Sequence, residues 1–382
     1  MLVGLKAAHD QLAAKITLDA PMVGRDSECE AILSFVSSEG KRILPVVGQA
    51  GIGKSRMLYE SLALLSEDDW RILWGLPETM KKSTNWFRFL NSPKRTCLAI
   101  DDSSSPELLR EVVEQLVATG RRNWKVIFSC RTEQKTMLYP LLMDDRIEEA
   151  LLLKPLENDS SLELLSAYLG TEVEKSWAYS IHQETGGIPA WLCLIAELIK
   201  RNSLSDLPRT TEAIANSYID SCLQSLESSQ REQGKILLRW IALWGTLRID
   251  ESDETRTRLQ FLEEQGLNQS LLHVILKQLL SSGLVINWGG QQRQHAVQPN
   301  IIREHILSSW LLEEADGKFA VSVAGREFVK RLLTSNFPDP TQALQSLSRL
   351  ASSRLSNKQA FSFTTINKRS RLKKEEFYEK IH

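Results

Sequence analysis

Residues Gly48-Gln49-Ala50-Gly51-Ile52-Gly53-Lys54-Ser55 fit the pattern G-x-x-x-x-G-K-[ST], whose chemistry is phosphate binding. Gly48, Gly51 and Gly53 let the backbone curl until successive N–H groups face an anion. A helix opening at such a loop adds partial positive charge at its N-terminus. Lys54 is then expected to reach the β- and γ-phosphates of a nucleoside triphosphate, and Ser55 to offer its Oγ to Mg2+. The same letters could be a Gly-rich turn with an incidental Lys-Ser, so the flanks decide. Ile43–Val47 reads as a short buried strand, and Ser55 to Leu65 carries Met57, Leu58, Leu62 and Leu65 at helical spacing. Strand, glycine loop and helix follow in the order this chemistry needs.

Phosphoryl chemistry also needs a carboxylate, expected at the end of a buried strand beside the P-loop strand. Cys97-Leu98-Ala99-Ile100-Asp101-Asp102 supplies it. Asp101, first after the apolar run, is expected to face Mg2+ through water. Asp102 is expected nearer the γ-phosphate, orienting the attacking water; its alternative role is the N-cap of the next turn. Arg131 closes the following strand, Phe128-Ser129-Cys130-Arg131. Strand ends of this kind line the ligand crevice of an open α/β sheet. A guanidinium there can distinguish triphosphate from diphosphate, or it can be a surface arginine at a strand end.

The elements around these residues alternate. Ser27-x-x-Glu30 reads as a capping box before Ile32, Leu33, Phe35 and Val36. Arg71–Trp74, Thr96–Ile100, Trp124–Phe128 and Glu149–Leu156 read as strands, and Pro106 opens a helix with Leu109, Val112, Val113 and Leu116 on one face. Residues 77–93 read as irregular. Alternating strands and helices predict a parallel sheet covered on both faces. From Glu157 the pattern turns helical, with helices near 159–169, 173–184, 189–200 and 211–226. Beyond residue 229, helices near 231–244 and 269–282 precede a hairpin, Leu284–Trp288 and Gln291–Val297, joined by Gly289-Gly290. Helix, helix and hairpin is the order of a winged helix.

The expected organisation is an amphipathic helix over 1–22, a P-loop α/β nucleotide-binding domain over 23–156, a helical lid over 157–228, a winged-helix domain over 229–330, and a short helical segment with a polar, basic tail over 331–382. At 382 residues, 25% charged, 42% hydrophobic and net charge −1, the chain has ordinary soluble composition and a net charge that selects no partner. Cys29, Cys97, Cys130, Cys193 and Cys222 form no C-x-x-C pair, which argues for core filling in a reducing, cytoplasmic setting and against a zinc site. No apolar run approaches a membrane span.

Taken in order, Val23-Gly24-Arg25, the P-loop, Leu98–Asp102, Ser129-Cys130-Arg131 and Gly186-Gly187-Ile188-Pro189 resemble the STAND ATPases, signal-transduction P-loop ATPases related to AAA+ proteins. The resemblance covers roughly residues 20 to 330. It implies that Val23, Gly24 and Arg25 lie over the adenine, that Arg131 contacts the γ-phosphate, and that Pro189 enters a lid helix against base and ribose. Arg56, after the P-loop serine, joins the nucleotide-binding set. In some such proteins a winged-helix histidine contacts the β-phosphate at rest; His295 is the nearest candidate, with a surface or packing role as its alternative. ATP or ADP with Mg2+ is the implied ligand. ADP is expected to favour a closed form, and ATP an open form able to self-associate.

Two features depart from the family. The stretch between Lys54 and Asp101 is short for it, and the chain ends soon after the winged helix, where members usually continue into a sensing repeat array. The sensor is then expected on a separate protein, or the chain is a minimal form. DNA is not the favoured partner. The candidate recognition helix, Leu271–Leu280, has one cation, Lys277, and residues 229–330 carry about as many acids as bases, without the basic footprint of phosphate contacts. The basic run Asn367–Lys374 reads as a solvated tail rather than a nucleic-acid contact. The favoured reading is a self-associating ATPase switch of the anti-phage defence or signalling branch. Its rivals are a DNA-binding initiator or transcription-regulator ATPase, and a non-hydrolysing nucleotide-locked scaffold.

Overall fold

β2 (Ile43–Val47) is buried along its whole length and pairs in parallel with strands on both sides. The computed structural model describes residues 2–4, 21–65, 68–75, 80, 94–101, 106–118, 123–132, 146–201, 210–250, 252–288, 294–315, 318–334 and 337–354. They divide between two compact units, Met1–Ile214 and Ala215–His382; the sequence reading placed its lid-to-winged-helix boundary at 228–229.

In the first unit one sheet holds β1 (Leu2–Gly4), β2, β3 (Trp70–Gly75), β4 (Arg95–Ile100), β5 (Trp124–Cys130) and β6 (Leu151–Leu152). Their order across the sheet is β1-β3-β4-β5-β2-β6. All pairs are parallel except β1–β3. Such strands are apolar on both faces because both faces are covered. α3 (Pro106–Ala118) covers one face, placing Leu108, Leu109, Val112 and Leu116 against Ile43, Val47, Leu73, Leu98, Ile100, Val126 and Phe128. By the two-residue period of a strand, Ala99, Ile127 and Ser129 point to the other face.

Three expectations change here. The strand carrying Asp101 is not beside the P-loop strand: β5 lies between β4 and β2. Leu2–Gly4, expected within an amphipathic helix, is a strand whose Leu2 lies opposite Gly75 and Gly4 opposite Leu73; an extended apolar segment satisfies the outer backbone edge of β3. Residues 5–20 of that expected helix lie outside the described residues. α1 (Asp26–Ser37) lacks the expected capping box. It begins one residue before Ser27, whose Oγ donates to Glu28 Oε2 at 2.9 Å instead of capping.

The unit continues with α2 (Lys54–Ala63), α4 (Asn158–Leu169), α5 (Lys175–Thr185) and α6 (Pro189–Lys200). α4 packs on α5 and α6. α7 (Thr211–Leu223) runs across the division between the units.

The second unit contains α8 (Ser228–Trp244), β7 (Leu247–Arg248), α9 (Asp253–Glu264), α10 (Gln269–Ser281), β8 (Val285–Trp288), β9 (Gln294–Val297), α11 (Asn300–Leu311), β10 (Leu312–Ala315), β11 (Lys318–Val321), α12 (Val323–Thr334) and α13 (Pro340–Arg354). The expected hairpin is β8–β9, and β7 joins it to give the order β7-β9-β8. Its Gly289-Gly290 turn lies outside the described residues. Trp240 centres the core, packing edge-on with Phe261 at 5.0 Å and Trp310 at 5.2 Å between ring centroids. Among the described residues, no helix is long and apolar enough to cross a membrane.

Candidate nucleotide-binding site

The P-loop joins β2 to α2. Gly48 donates its N–H to the Cys130 carbonyl at 3.3 Å, tying the loop's start to the end of β5. A Cβ at Gly48 would come within 2.8 Å of Ile52 Cγ2 and 3.2 Å of Leu153 Cβ, so only glycine fits. Gly53, the N-cap of α2, has φ +97°, a conformation that glycine adopts without strain. Lys54 is buried in the curl: its Nζ donates to the carbonyls of Gly48 at 2.7 Å and Gln49 at 2.9 Å. The ammonium therefore sits among the loop's own backbone groups.

Ser55 and Asp101, the two residues the sequence proposes for Mg2+, meet in the structure. Ser55 Oγ donates to Asp101 Oδ1 at 2.9 Å. Ser129, which sequence reasoning did not single out, donates its Oγ to the same oxygen at 2.8 Å. Asp101 is 1% exposed and Ser129 0%. A carboxylate this deeply buried needs such donors to offset its lost hydration. The hydroxyl of Ser55 and the carboxylate of Asp101 are hard oxygen donors beside a phosphate-binding loop. That set fits Mg2+, which takes its remaining ligands from phosphate and water. Arg131 follows β5 directly, two residues beyond Ser129. Asp102 lies outside the described residues.

Two further segments converge on the loop. Val23 is buried, and Gly24 (φ +63°) is packed so closely that a Cβ would lie 2.5 Å from Ser160 Oγ. Arg25, 6% exposed, donates from Nη2 to the Lys154 carbonyl at 2.7 Å and the Ile52 carbonyl at 3.3 Å, and from Nη1 to Glu28 Oε1 at 2.8 Å. Burial works to raise the Glu28 pKa, but hydrogen bonds from Ser27 and Arg25 outweigh it and hold the carboxyl below its ordinary value. Arg25 thus binds the P-loop backbone itself. On the other side Pro189 opens α6, where its missing N–H costs nothing, and Ala190 donates its N–H to the Gly51 carbonyl at 3.1 Å. Gly187 (φ +66°) accepts from the Leu156 N–H at 2.9 Å. Arg56 forms an ion pair with Glu60 at 2.7 Å.

His295 lies on β9 of the second unit, opposite Leu247 and Asn287, and is 3% exposed. That burial fits the packing role held as its alternative. All five cysteines are free and buried, and burial pushes the Cys97 and Cys193 thiols up to about 12, which makes them inert core groups.

Parallel strands with the loop at the C-terminal end of β2, and hydroxyl and carboxylate gathered beside it, define a P-loop NTPase nucleotide-binding domain. The family described as Novel STAND NTPase 5 matches residues 16–138, and the likeness to the STAND class covers that stretch. Among solved structures, the chain is similar to the Walker-type ATPase paby2304 of Pyrococcus abyssi (14% identity, 75% of this chain and 96% of that one, TM-score 0.38). It is also similar to Cdc6p from Pyrobaculum aerophilum (13%, 75% and 94%, TM-score 0.39) and to a chain of Drosophila ORC bound to DNA (14%, 79% and 91%, TM-score 0.37). No curated protein sequence gives a match.

Proposed function

We propose that the chain is an ATP-dependent switch that binds ATP with Mg2+, hydrolyses it slowly, and couples nucleotide state to self-association and signalling. The observation that carries this reading is convergence on one loop. Arg25 reaches the Ile52 carbonyl from the segment ahead of β2, and Ala190 reaches the Gly51 carbonyl from the lid. A nucleotide held by Gly48–Ser55 would therefore be felt by both segments, which is what a switch requires.

Lys54 would exchange its bonds to the Gly48 and Gln49 carbonyls for phosphate oxygens. Ser55 would hold Mg2+, with Asp101 behind it and reaching the metal through water. Bound Mg2+ would neutralise charge on the β- and γ-phosphates. Arg131 would read the γ-phosphate and Asp102 would orient the attacking water. Val23, Gly24, Arg25 and Pro189 would border the base and ribose.

The second unit follows the order helix, strand, helix, helix and hairpin, which supports a winged helix. The exposed positions of α10 include His273, Val274 and Lys277, a surface poor in the cations that DNA phosphates need. This supports a packing role for that unit and a signalling or defence role for the protein; a separate sensor or effector as partner and a cytoplasmic setting belong to the same proposal. Nucleotide analysis of the protein as purified, followed by ATP turnover, tests the reading. Bound adenine nucleotide and slow phosphate release are expected. Absence of both binding and turnover would refute it, and binding without turnover would select the locked scaffold.

A further inference from the structure

We propose that Ser129 is a positioning residue of the metal site, acting through Asp101 to aim the hydroxyl of Ser55. The inference rests on the nucleotide-binding reading above and goes beyond it, because it assigns work to a residue outside the P-loop and the acidic strand end.

A serine hydroxyl has one proton to donate and two acceptor lone pairs. Ser55 gives its proton to Asp101 Oδ1 at 2.9 Å. With the proton committed there, its lone pairs are left to face a cation. That arrangement holds only while the carboxylate keeps its orientation. Ser129 donates to the same Oδ1 at 2.8 Å, from a side chain with no solvent exposure. Its position is set by the sheet: β5 lies between β4 and β2, and Ile100 pairs with Phe128. Ser129 therefore falls beside Asp101, one step further along both strands. The sheet carries Asp101 directly after the end of one strand and its positioning hydroxyl on the next. Arg131 follows directly after β5, so the C-terminal end of one strand would supply both the metal site's positioning group and the proposed γ-phosphate reader.

Outer partners of metal ligands commonly govern metal affinity, and the test separates that effect from general damage. The full chain would be prepared as wild type, Ser129→Ala, Ser129→Cys and Ser129→Thr. ATP affinity would be measured by calorimetry in EDTA and across a Mg2+ titration. Cysteine nearly preserves volume while weakening the donor, so it guards against a folding defect in the alanine variant. The expected result is wild-type affinity in EDTA for the alanine and cysteine variants, with the Mg2+ concentration needed for tight binding raised about tenfold. Threonine, which keeps the hydroxyl, restores the wild-type requirement. An unchanged Mg2+ requirement in Ser129→Ala overturns the inference alone. Parallel losses with Mg2+ and with EDTA in both the alanine and cysteine variants also overturn it, since Ser129 would then be only a packing group. If the wild type binds no ATP, or binds it without regard to Mg2+, the reading of the site fails and the inference falls with it.

Discussion

Ala190 donates its backbone N–H to the carbonyl of Gly51 over 3.1 Å, joining the first turn of α6 to the middle of the P-loop. The turn that presents Ala190 depends on Gly187, where φ is +66° and a Cβ would lie 2.4 Å from the Leu156 carbonyl. Gly187→Ala is therefore expected to cost roughly 1–3 kcal/mol of stability and to weaken ATP binding as the lid shifts. Thermal melting and calorimetry measure the two effects. A variant that melts and binds as wild type would mean the lid contact is incidental.

Glu28 gives a pH-dependent prediction. Its folded pKa lies below the ordinary 4.5 because hydrogen bonds from Ser27 and Arg25 outweigh the opposing effect of burial. A depressed carboxylate pKa contributes stability that is present above the unfolded value and lost as pH falls through the folded one. Glu28→Gln should therefore lower stability by roughly 1 kcal/mol at neutral pH. The gap to wild type should close as pH falls below 4.5. Melting curves at neutral and acid pH check this; a gap that stays constant across the range would assign the loss to packing.

The third prediction concerns Arg131. ATP and ADP differ by the γ-phosphate, and a ligand shifts a two-state equilibrium only by its differential affinity for the states. Arg131→Ala should bind ADP with near-normal affinity and lose most of the preference for the ATP form. Self-association driven by ATP, followed by light scattering, should vanish with it. A mutant that assembles like wild type would place γ-phosphate sensing elsewhere.

The parts of the site that could be read from the sequence are those fixed by local geometry. Gly48 to Ser55 announce themselves because a phosphate loop needs glycine where no Cβ fits, as at Gly48, or where φ is positive, as at Gly53. Asp101 was legible as the first polar residue after an apolar run. Ser129 was not: one serine within a buried strand has no spacing of its own. Its significance comes from the strand order, which follows from non-local pairing. Its place two residues before Arg131 was the available clue. The capping box misled because Ser27 has a closer partner in Glu28. α9 escaped notice because Asp253–Glu264 is mostly polar; its signal was the capping by Ser252, which accepts from the Thr255 N–H at 3.3 Å.

The most direct test of the central claim is calorimetric titration of Mg2+ and ATP into the wild-type chain and into Lys54→Ala. Lys54 is the fixed cation within the loop, its Nζ 2.7 Å from the Gly48 carbonyl. The nucleotide-binding account predicts measurable binding to the wild type and at least a tenfold loss in the variant, about 1.4 kcal/mol. Equal affinity in the two proteins, or no binding to the wild type, would contradict it.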